Sequence, residues 1–402
     1  MWNFNKLLGL SSLEIKSYHQ TNKYHIFKVK QRNKTSFCPF CGKKTSYKYG
    51  FHPQRKIQHG LIFGKICLLI FKPRRFFCQR CNKVFNEKLS FLKKYERFTQ
   101  KHKKEAILNL IDRSFSSGKK HFQTSYFLQR KWLKEIVEEN IFNFKEEEIK
   151  GKPFVLGIDE VSFSKHKMLT TVGNLSNHTL KGILPSMKKS CLKKILKNLS
   201  LKVKLQIKEV VIDMSVLYLK VIQETLPNAK ITIDKLHVIQ DANRRIDEQR
   251  LILQEIYETK IPRHILLKNK EDLKEKEKMI LNMILKKYRE IKIFYEVKEK
   301  IREMYGKKKK DEAETDLRLI ISLLKSTDDG ELISWGNTLY YFKNYILNYF
   351  DNFSTNGFME GINNKLKLIK RISFGFKNKE VFILKAMLSV LVTYILNQPI
   401  FK

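Results

Sequence analysis

The sequence predicts an α/β domain interrupted by an all-helical insertion, with a small metal-stabilised β module and a short helical region ahead of it. Three observations carry this. From residue 153 the runs PFVLGIDEV, MLTTVGNLS and LKGILP read as consecutive strands, and helix and strand segments then alternate. Residues 246–350 read as almost entirely helical and charged. Two CxxC pairs, at 38–41 and 78–81, stand ahead of both.

Composition bounds the answer. A chain of 402 residues with 42% hydrophobic content has material for roughly two to four domains and at least one sizeable core. Lys and Arg number 80 against 40 Asp and Glu, a formal charge of +40 spread from end to end. A field of that sign attracts polyanions, nucleic acid first among them. The opening MWNFNKLLGLSSLEIKSYHQ has no basic start leading into a long apolar run, so no signal peptide is expected. The most apolar stretch, VFILKAMLSVLVTYIL at 381–396, is short for a membrane span and carries Lys385; it reads as a buried core helix. A cytoplasmic, nucleoid-associated protein with no membrane partner is expected.

The first module, residues 1–95, is organised by CPFC and CQRC. Thiolates two residues apart bind one tetrahedral Zn²⁺ from a tight turn, and two such turns complete a shell of Cys38, Cys41, Cys78 and Cys81. GLIFGKICLLIFKPRRFF between them reads as β-rich, as in a zinc ribbon, with one structural zinc expected. A redox pair is the rival reading, and six cysteines in a chain this long do not make a disulfide scaffold. Cys67 and Cys191 read as core residues, and His52 and His59 as surface or turn positions with an alternative as ligands. Residues 96–150 form a second segment. KHKKEAILNLIDRSF and TSYFLQRKWLKEIVEENIF read as helices around a break at SSGKK, a helix-turn-helix-like pair that any αα-hairpin resembles. KEEEIKGKP reads as a linker.

The α/β part is then expected over 151–245, the insertion over 246–350 and closing helices over 351–402. Two acids end apolar strands, Asp159 in FVLGID and Asp213 in EVVID, where α/β sheets build their sites. Each has a second reading as a loop-start helix cap. Glu160 follows Asp159 and is expected on the opposite face. At about 100° per residue, 357–371 forms an amphipathic helix. Glu360, Asn363, Asn364, Lys367, Lys370 and Arg371 share one face, and Met359, Ile362, Leu366 and Ile369 the other. Ser354, Thr355 and Asn356 are all candidate N-caps. Glu360 reads either as one member of a surface charge pair or as a third carboxylate beside Asp159 and Asp213. The trio suits hard cations, Mg²⁺ or Mn²⁺, and two ions about 3.5–4 Å apart can activate an attacking oxygen and stabilise a leaving one. The neighbouring amides and cations would then face DNA phosphates.

In this order of motifs the chain resembles the DDE transposases of bacterial insertion sequences, the ISL3 group most closely. The resembling stretches are CPFCG and CQRC with the RRFFCQRC approach, GIDE, VVID, DKLH at 234–237, and TNGFMEGINNKLKLIKR followed by GFKN. Leu236 stands where the family has an aromatic. The resemblance implies an RNase H-like catalytic core with Asp159, Asp213 and Glu360 as its triad and an all-α insertion between the second and third acids. It implies cleavage at element ends and joining of the 3′-hydroxyls to target DNA. Double-stranded DNA, as terminal inverted repeats and target, is the expected partner, with a homo-oligomer assembled on it. Asp234 and His237 would support the site, while a helix cap and a core-edge histidine are equal readings of the residues. A non-catalytic DNA-binding repressor and a nuclease without a joining step are the competing functions.

Overall fold

The computed structural model describes residues 8–396 apart from 94, 112, 139 and 166, with side chains as far as residue 392. Backbone proximity divides the chain into two units, Met1–Asn140 with Leu368–Lys402, and Ile141–Lys367.

The second unit is built on a five-stranded sheet. Its order is Thr179–Leu184, Lys167–Asn174, Phe154–Ser164, Ile207–Ile212, Lys230–Ile233. The first three strands form an antiparallel meander, and the last two run parallel to Phe154–Ser164. Strands such as Ile207–Ile212 are buried along nearly their whole length. Continuous apolar runs of this kind belong to sheets covered on both faces. The connections are the helices Lys189–Lys197, Leu201–Gln206, Val216–Thr225 and Lys235–Ile256. Apart from Leu201–Gln206, which the sequence pattern does not assign, these strands and helices are the ones the alternating pattern predicts. Ser215, not Asp213, caps Val216–Thr225, and Asp234 caps Lys235–Ile256.

The insertion continues from Lys235–Ile256 through Glu275–Lys287, Arg289–Tyr305, Lys310–Lys325 and Gly330–Leu347. It has no separate core. Leu156, Val210 and Ile233 of the sheet belong to one buried cluster with Ile246, Phe294, Leu317 and Trp335. Trp335 stacks on Phe294 at 6.1 Å and lies beneath the Arg245 guanidinium. Lys298 is buried, and its ammonium is satisfied by Glu299 and the carbonyls of Leu266 and Lys268. KEEEIKGKP, expected as a linker, forms the helix Lys145–Lys150, ended by Gly151 in left-handed backbone. Buried Glu147 anchors it, pairing with Lys181 at 2.5 Å and accepting from Asn174 and Asn177.

In the first unit the stretch expected to be ribbon throughout is divided. Arg55–Ile62 and Lys65–Phe71 join Leu13–Gln20 and Tyr24–Gln31 in a four-stranded sheet, and only Arg74–Cys78 enters the three-stranded sheet with Lys48–Phe51 and Lys83–Asn86. The reason is apolar area. Ile57, Cys67, Leu69 and Phe71 need a core, and Leu13, Phe27 and Val29 supply it. The ribbon core holds only Phe76 and Phe85 with the cysteines. Helices Gln100–Leu108, Phe115–Phe122 and Tyr126–Glu138 follow. SSGKK is not a break but part of Phe115–Phe122. Gly118 is there because a Cβ would lie 2.5 Å from the Gln129 Oε1 of the next helix. The apolar stretch 381–396 lies in the helix Lys379–Leu396, buried from Val381 to Ser389. Among the described residues no helix is long and apolar enough to cross a membrane.

Candidate cysteine cluster and carboxylate site

The ribbon brings its four cysteines together. Gly42, at a φ of 71° that favours glycine, closes the first knuckle, with its N–H bonded to the Cys38 carbonyl. The sulfur pairs Cys38–Cys81, Cys41–Cys78 and Cys78–Cys81 are each 3.6 Å apart. A Zn–S bond of about 2.3 Å in a regular tetrahedron requires sulfurs about 3.8 Å apart. The donor set and its spacing therefore fit structural zinc, and among the described residues this is the only close cluster of three or more potential ligands. His59 is not near it in role: it is buried between Thr99 and the Leu8 carbonyl. His52 meets Asn86, and Cys67 is a core residue whose thiol burial pushes up to about 12.

The carboxylates lie in the second unit. The last parallel pair between Phe154–Ser164 and Ile207–Ile212 is Gly157 with Val211, so two residues on Asp159 and Asp213 fall side by side. Ile212 pairs with Ile233, so Asp213 and Asp234 follow on the next two strands. Three aspartates thus form a row across adjacent parallel strands, about 4.8 Å apart strand to strand. Asp213 and Asp234 stand just past their strand ends, but Asp159, expected from the sequence to end its strand, lies within it, because Phe154–Ser164 continues past it to pair with Lys167–Asn174. Backbone register, not side-chain reach, sets that row.

The helix Gly357–Ile372 is pinned over it. Asn356, buried at its start, donates to the carbonyls of Ile158 and Val211, one on each acid-bearing strand. A Cβ on Gly157 would lie 2.8 Å from Asn356 Oδ1, and one on Gly173 would lie 2.5 Å from Met359 Sδ. Two glycines thus allow the helix its close approach. Met359, Ile362, Leu366 and Ile369 are buried as the periodicity predicts. Asn363 is also buried, turned inward rather than toward solvent. Its amide donates to Asp159 Oδ2 at 2.9 Å and to the Glu160 carbonyl, and its oxygen accepts from Thr171. The other Asp159 oxygen accepts from the Glu160 N–H at 2.7 Å. His237 Nε2 stands 3.6 Å from it, an ion-pair distance rather than a hydrogen bond.

Charge in this site is unbalanced. Asp213 Oδ1 is buried with no hydrogen-bond partner among the described residues. Burial, and next the Glu160 charge, push the Asp213 carboxyl up to about 7 against the pull of His237. Burial likewise raises Asp234 and Glu160. For His237 burial acts downward, but the Asp159, Asp213 and Asp234 carboxylates outweigh it and hold the imidazole above its ordinary range. Glu160, expected to point away from the site, is not set apart from it: its charge acts on Asp213, and Asp159, His237 and Tyr218 act on it in turn. The buried Tyr218 hydroxyl bonds to Thr170 at 2.8 Å and lies close enough to Glu160 to act on its carboxyl. Sequence reasoning passed over Tyr218, set Glu160 aside, and read Asn356 only as a candidate N-cap. The asparagine at the helix start was the one available signal.

The remaining predicted residues lie on the helix surface. Glu360 is exposed, one turn before Asn363, and has no side-chain hydrogen bond or ion pair among the described residues. The structure brings Asp159, Asp213, Asp234 and His237 together and leaves Glu360 outside their direct contacts. Asn364, Lys367 and Arg371 are exposed, and Lys370 is half-buried.

Comparison with known proteins finds matches over both regions. A transposase family profile matches residues 156–386, which span the three aspartates, His237 and the helix of Glu360. A second profile, the zinc-finger of the IS204/IS1001/IS1096/IS1165 transposases, matches residues 34–81, which hold the four cysteines. The chain is similar to a transposase for insertion sequence element IS1001 from Bordetella parapertussis, at 22% identity over 371 residues and 89% of each chain. With the aspartate row inside one match and the cysteine cluster inside the other, the chain belongs to the ISL3-group family of DDE transposases, those with an N-terminal zinc ribbon.

Proposed function

We propose that this transposase cleaves DNA at insertion-sequence ends and joins the freed 3′-hydroxyls to target DNA, with Asp159, Asp213 and Glu360 as its catalytic carboxylates. The observation that carries the reading is the aspartate row, on adjacent parallel strands beneath a helix that bears Glu360. The sheet order, an antiparallel meander followed by two parallel strands, supports an RNase H-like core. Asp213, with its unpartnered buried oxygen among acids, fits a divalent cation as its missing partner. Bound Mg²⁺ or Mn²⁺, two ions held by the three carboxylates, would supply Lewis-acid stabilisation of the attacking and leaving oxygens.

The chain's own residues divide the remaining work. Asn363 and the Glu160 N–H hold one oxygen each of Asp159, so its carboxylate is oriented before any DNA arrives. Strand pairing orients Asp213 through the backbone. His237 offsets part of the negative charge beside Asp159, and Asp234 caps the helix that carries it. Asn364, Lys367, Lys370 and Arg371 continue from Glu360 along the helix and receive the phosphate backbone; Asn363 serves the site from inside. The ribbon and the helices of residues 96–150, read as a helix-turn-helix-like region, recognise terminal inverted repeats mainly through phosphates, with a homo-oligomer bridging two ends.

Strand cleavage and joining in Mg²⁺ on the element's own flanking DNA, beside a gel shift on the same DNA, tests the reading. Asp159→Asn, Asp213→Asn and Glu360→Gln each lose cleavage by orders of magnitude while end binding survives. Normal cleavage by Glu360→Gln would move the third ligand elsewhere. Cleavage without joining would leave a nuclease.

A further inference from the structure

The helix Gly357–Ile372 ends in an unusual way. The Gly375 N–H bonds the Lys370 carbonyl and the Phe374 N–H bonds that of Arg371, the paired bonds of a Schellman cap. The residue that must take left-handed backbone in this cap is normally glycine. Here it is Phe374, at φ 53°, and its ring is 100% exposed. Backbone strain and apolar exposure both oppose that choice, and no core packing offsets them.

The exposed ring borders a cavity of about 430 Å³ within the first unit. Phe115, Tyr126 and Phe376 are its other aromatic members, and Arg113, Lys377 and Lys385 its cations. Among the described residues it has no carboxylate lining. Phe115 and Tyr126 meet edge to face at 5.0 Å, and Tyr126 keeps 49% of its surface exposed. Lys385 is buried at the base of the cavity. Its ammonium donates to the Arg113 carbonyl and the Ser373 hydroxyl at 3.1 Å each, so it ties the Phe374 turn to the segment before Phe115. The walls are built and held.

Planar rings for stacking, cations without acids, and this volume together describe the chemistry of a nucleotide out of its duplex. We propose that the cavity of Phe374, Tyr126 and Arg113 binds an unpaired nucleotide of DNA, the base stacking on Phe374 and the phosphate meeting Arg113 and Lys377. This rests on the DNA-processing reading above and adds a second DNA site, in the other unit from the carboxylates. A base must leave its stack to enter, so the site favours frayed or single-stranded DNA over intact duplex.

The test uses the full-length zinc-loaded protein, with a fluorescein-labelled oligothymidine and a duplex of equal length, read by anisotropy at one salt concentration. Phe374→Ala and Phe374→Gly weaken oligothymidine binding about tenfold, the size of one lost stack, and leave duplex affinity unchanged. Phe374→Trp keeps the affinity, and its emission is quenched on binding beyond that of the wild type. Phe374→Gly melts no lower than wild type, since glycine suits the turn. Unchanged oligothymidine affinity in Phe374→Ala, an equal loss on both DNAs, or a lowered melting temperature in Phe374→Gly would each overturn the proposal. End cleavage by the same proteins separates the two readings. No cleavage by wild type with the tenfold effect intact fails the transposase reading and leaves this site standing; normal cleavage without the effect does the reverse.

Discussion

The cysteine cluster and the aspartate row are both groups of potential metal ligands, assembled in opposite ways. The four sulfurs come from two tight turns and already stand 3.6 Å apart in the measured pairs. Nothing but a metal is needed to complete them. The aspartates are fixed by strand register and crowd negative charge together, while Glu360 stays on an exposed helix face. A structural site is closed and local, and removing a ligand unfolds it. A site for chemistry is assembled from distant segments under electrostatic tension, and removing an acid relieves that tension.

The largest effect that sharpens this contrast is expected at the ribbon. Cys38→Ser should lose zinc, whose binding in such modules is worth about 10–16 kcal/mol. Metal analysis should find about one zinc per wild-type chain and none in the variant. Amide exchange should show the ribbon residues 36–51 and 74–86 unprotected, and the four-stranded sheet of 13–71 and the 154–233 sheet as in wild type. A protected ribbon without zinc would erase the distinction.

A buried carboxylate with its own cation gives the next comparison. Burial alone would raise Glu147, but the hydrogen bond and charge of Lys181 outweigh it and hold the carboxyl below the ordinary range. Lys181→Met leaves that acid buried and unpaired and should cost about 3–5 kcal/mol in denaturant unfolding. Because the folded-state pKa of Glu147 is depressed, its contribution is present above the unfolded carboxyl value. It is lost as pH falls through the folded one. Wild type should therefore lose stability on acidification below about pH 4.5, and the variant should lack that component.

Overpacking should come next in size. Gly157→Ala puts a methyl against Asn356 and Leu175 and should destabilise by about 1–3 kcal/mol. Cleavage should fall further than stability explains, since Asn356 sets the helix over the aspartates. Equal loss of both would mean that Gly157 serves packing alone.

The smallest change is expected to have the opposite sign. Asp213→Asn removes a buried, unpartnered charge and should raise stability by about 1 kcal/mol in magnesium-free buffer, although it abolishes cleavage. A clear destabilisation would show that Asp213 is already balanced within the protein. Glu160→Gln, beside Asp213 and Tyr218, should reduce cleavage less than any of the three proposed carboxylates. Equal loss would make it a fourth.

What could be read from sequence alone was whatever depends on neighbours in the chain. Knuckle cysteines, the strand that ends at Asp213, and the buried stripe Met359, Ile362, Leu366, Ile369 each follow from spacing over a few residues, whereas the strand of Asp159 runs on to Ser164. The split of 55–78 between two sheets did not, because it depends on where Ile57 and Leu69 find a core, and that core comes from residues 13–29. Nor did the inward turn of Asn363. On a helical wheel it shares the polar face with Lys367, and only Asp159, Glu160 and Thr171, about two hundred residues away, make burying its amide favourable. Strand alternation predicted that Glu160 would face away from Asp159 and stand apart from the site; that it nonetheless acts on Asp213 and is acted on by Tyr218 is decided by which strand and helix pack beside it. Local spacing singled out the candidate residues. Sheet order and close packing at Gly157 and Gly173 decided which of them meet, because a side chain's hydrogen-bond partners and desolvation are properties of the assembled fold.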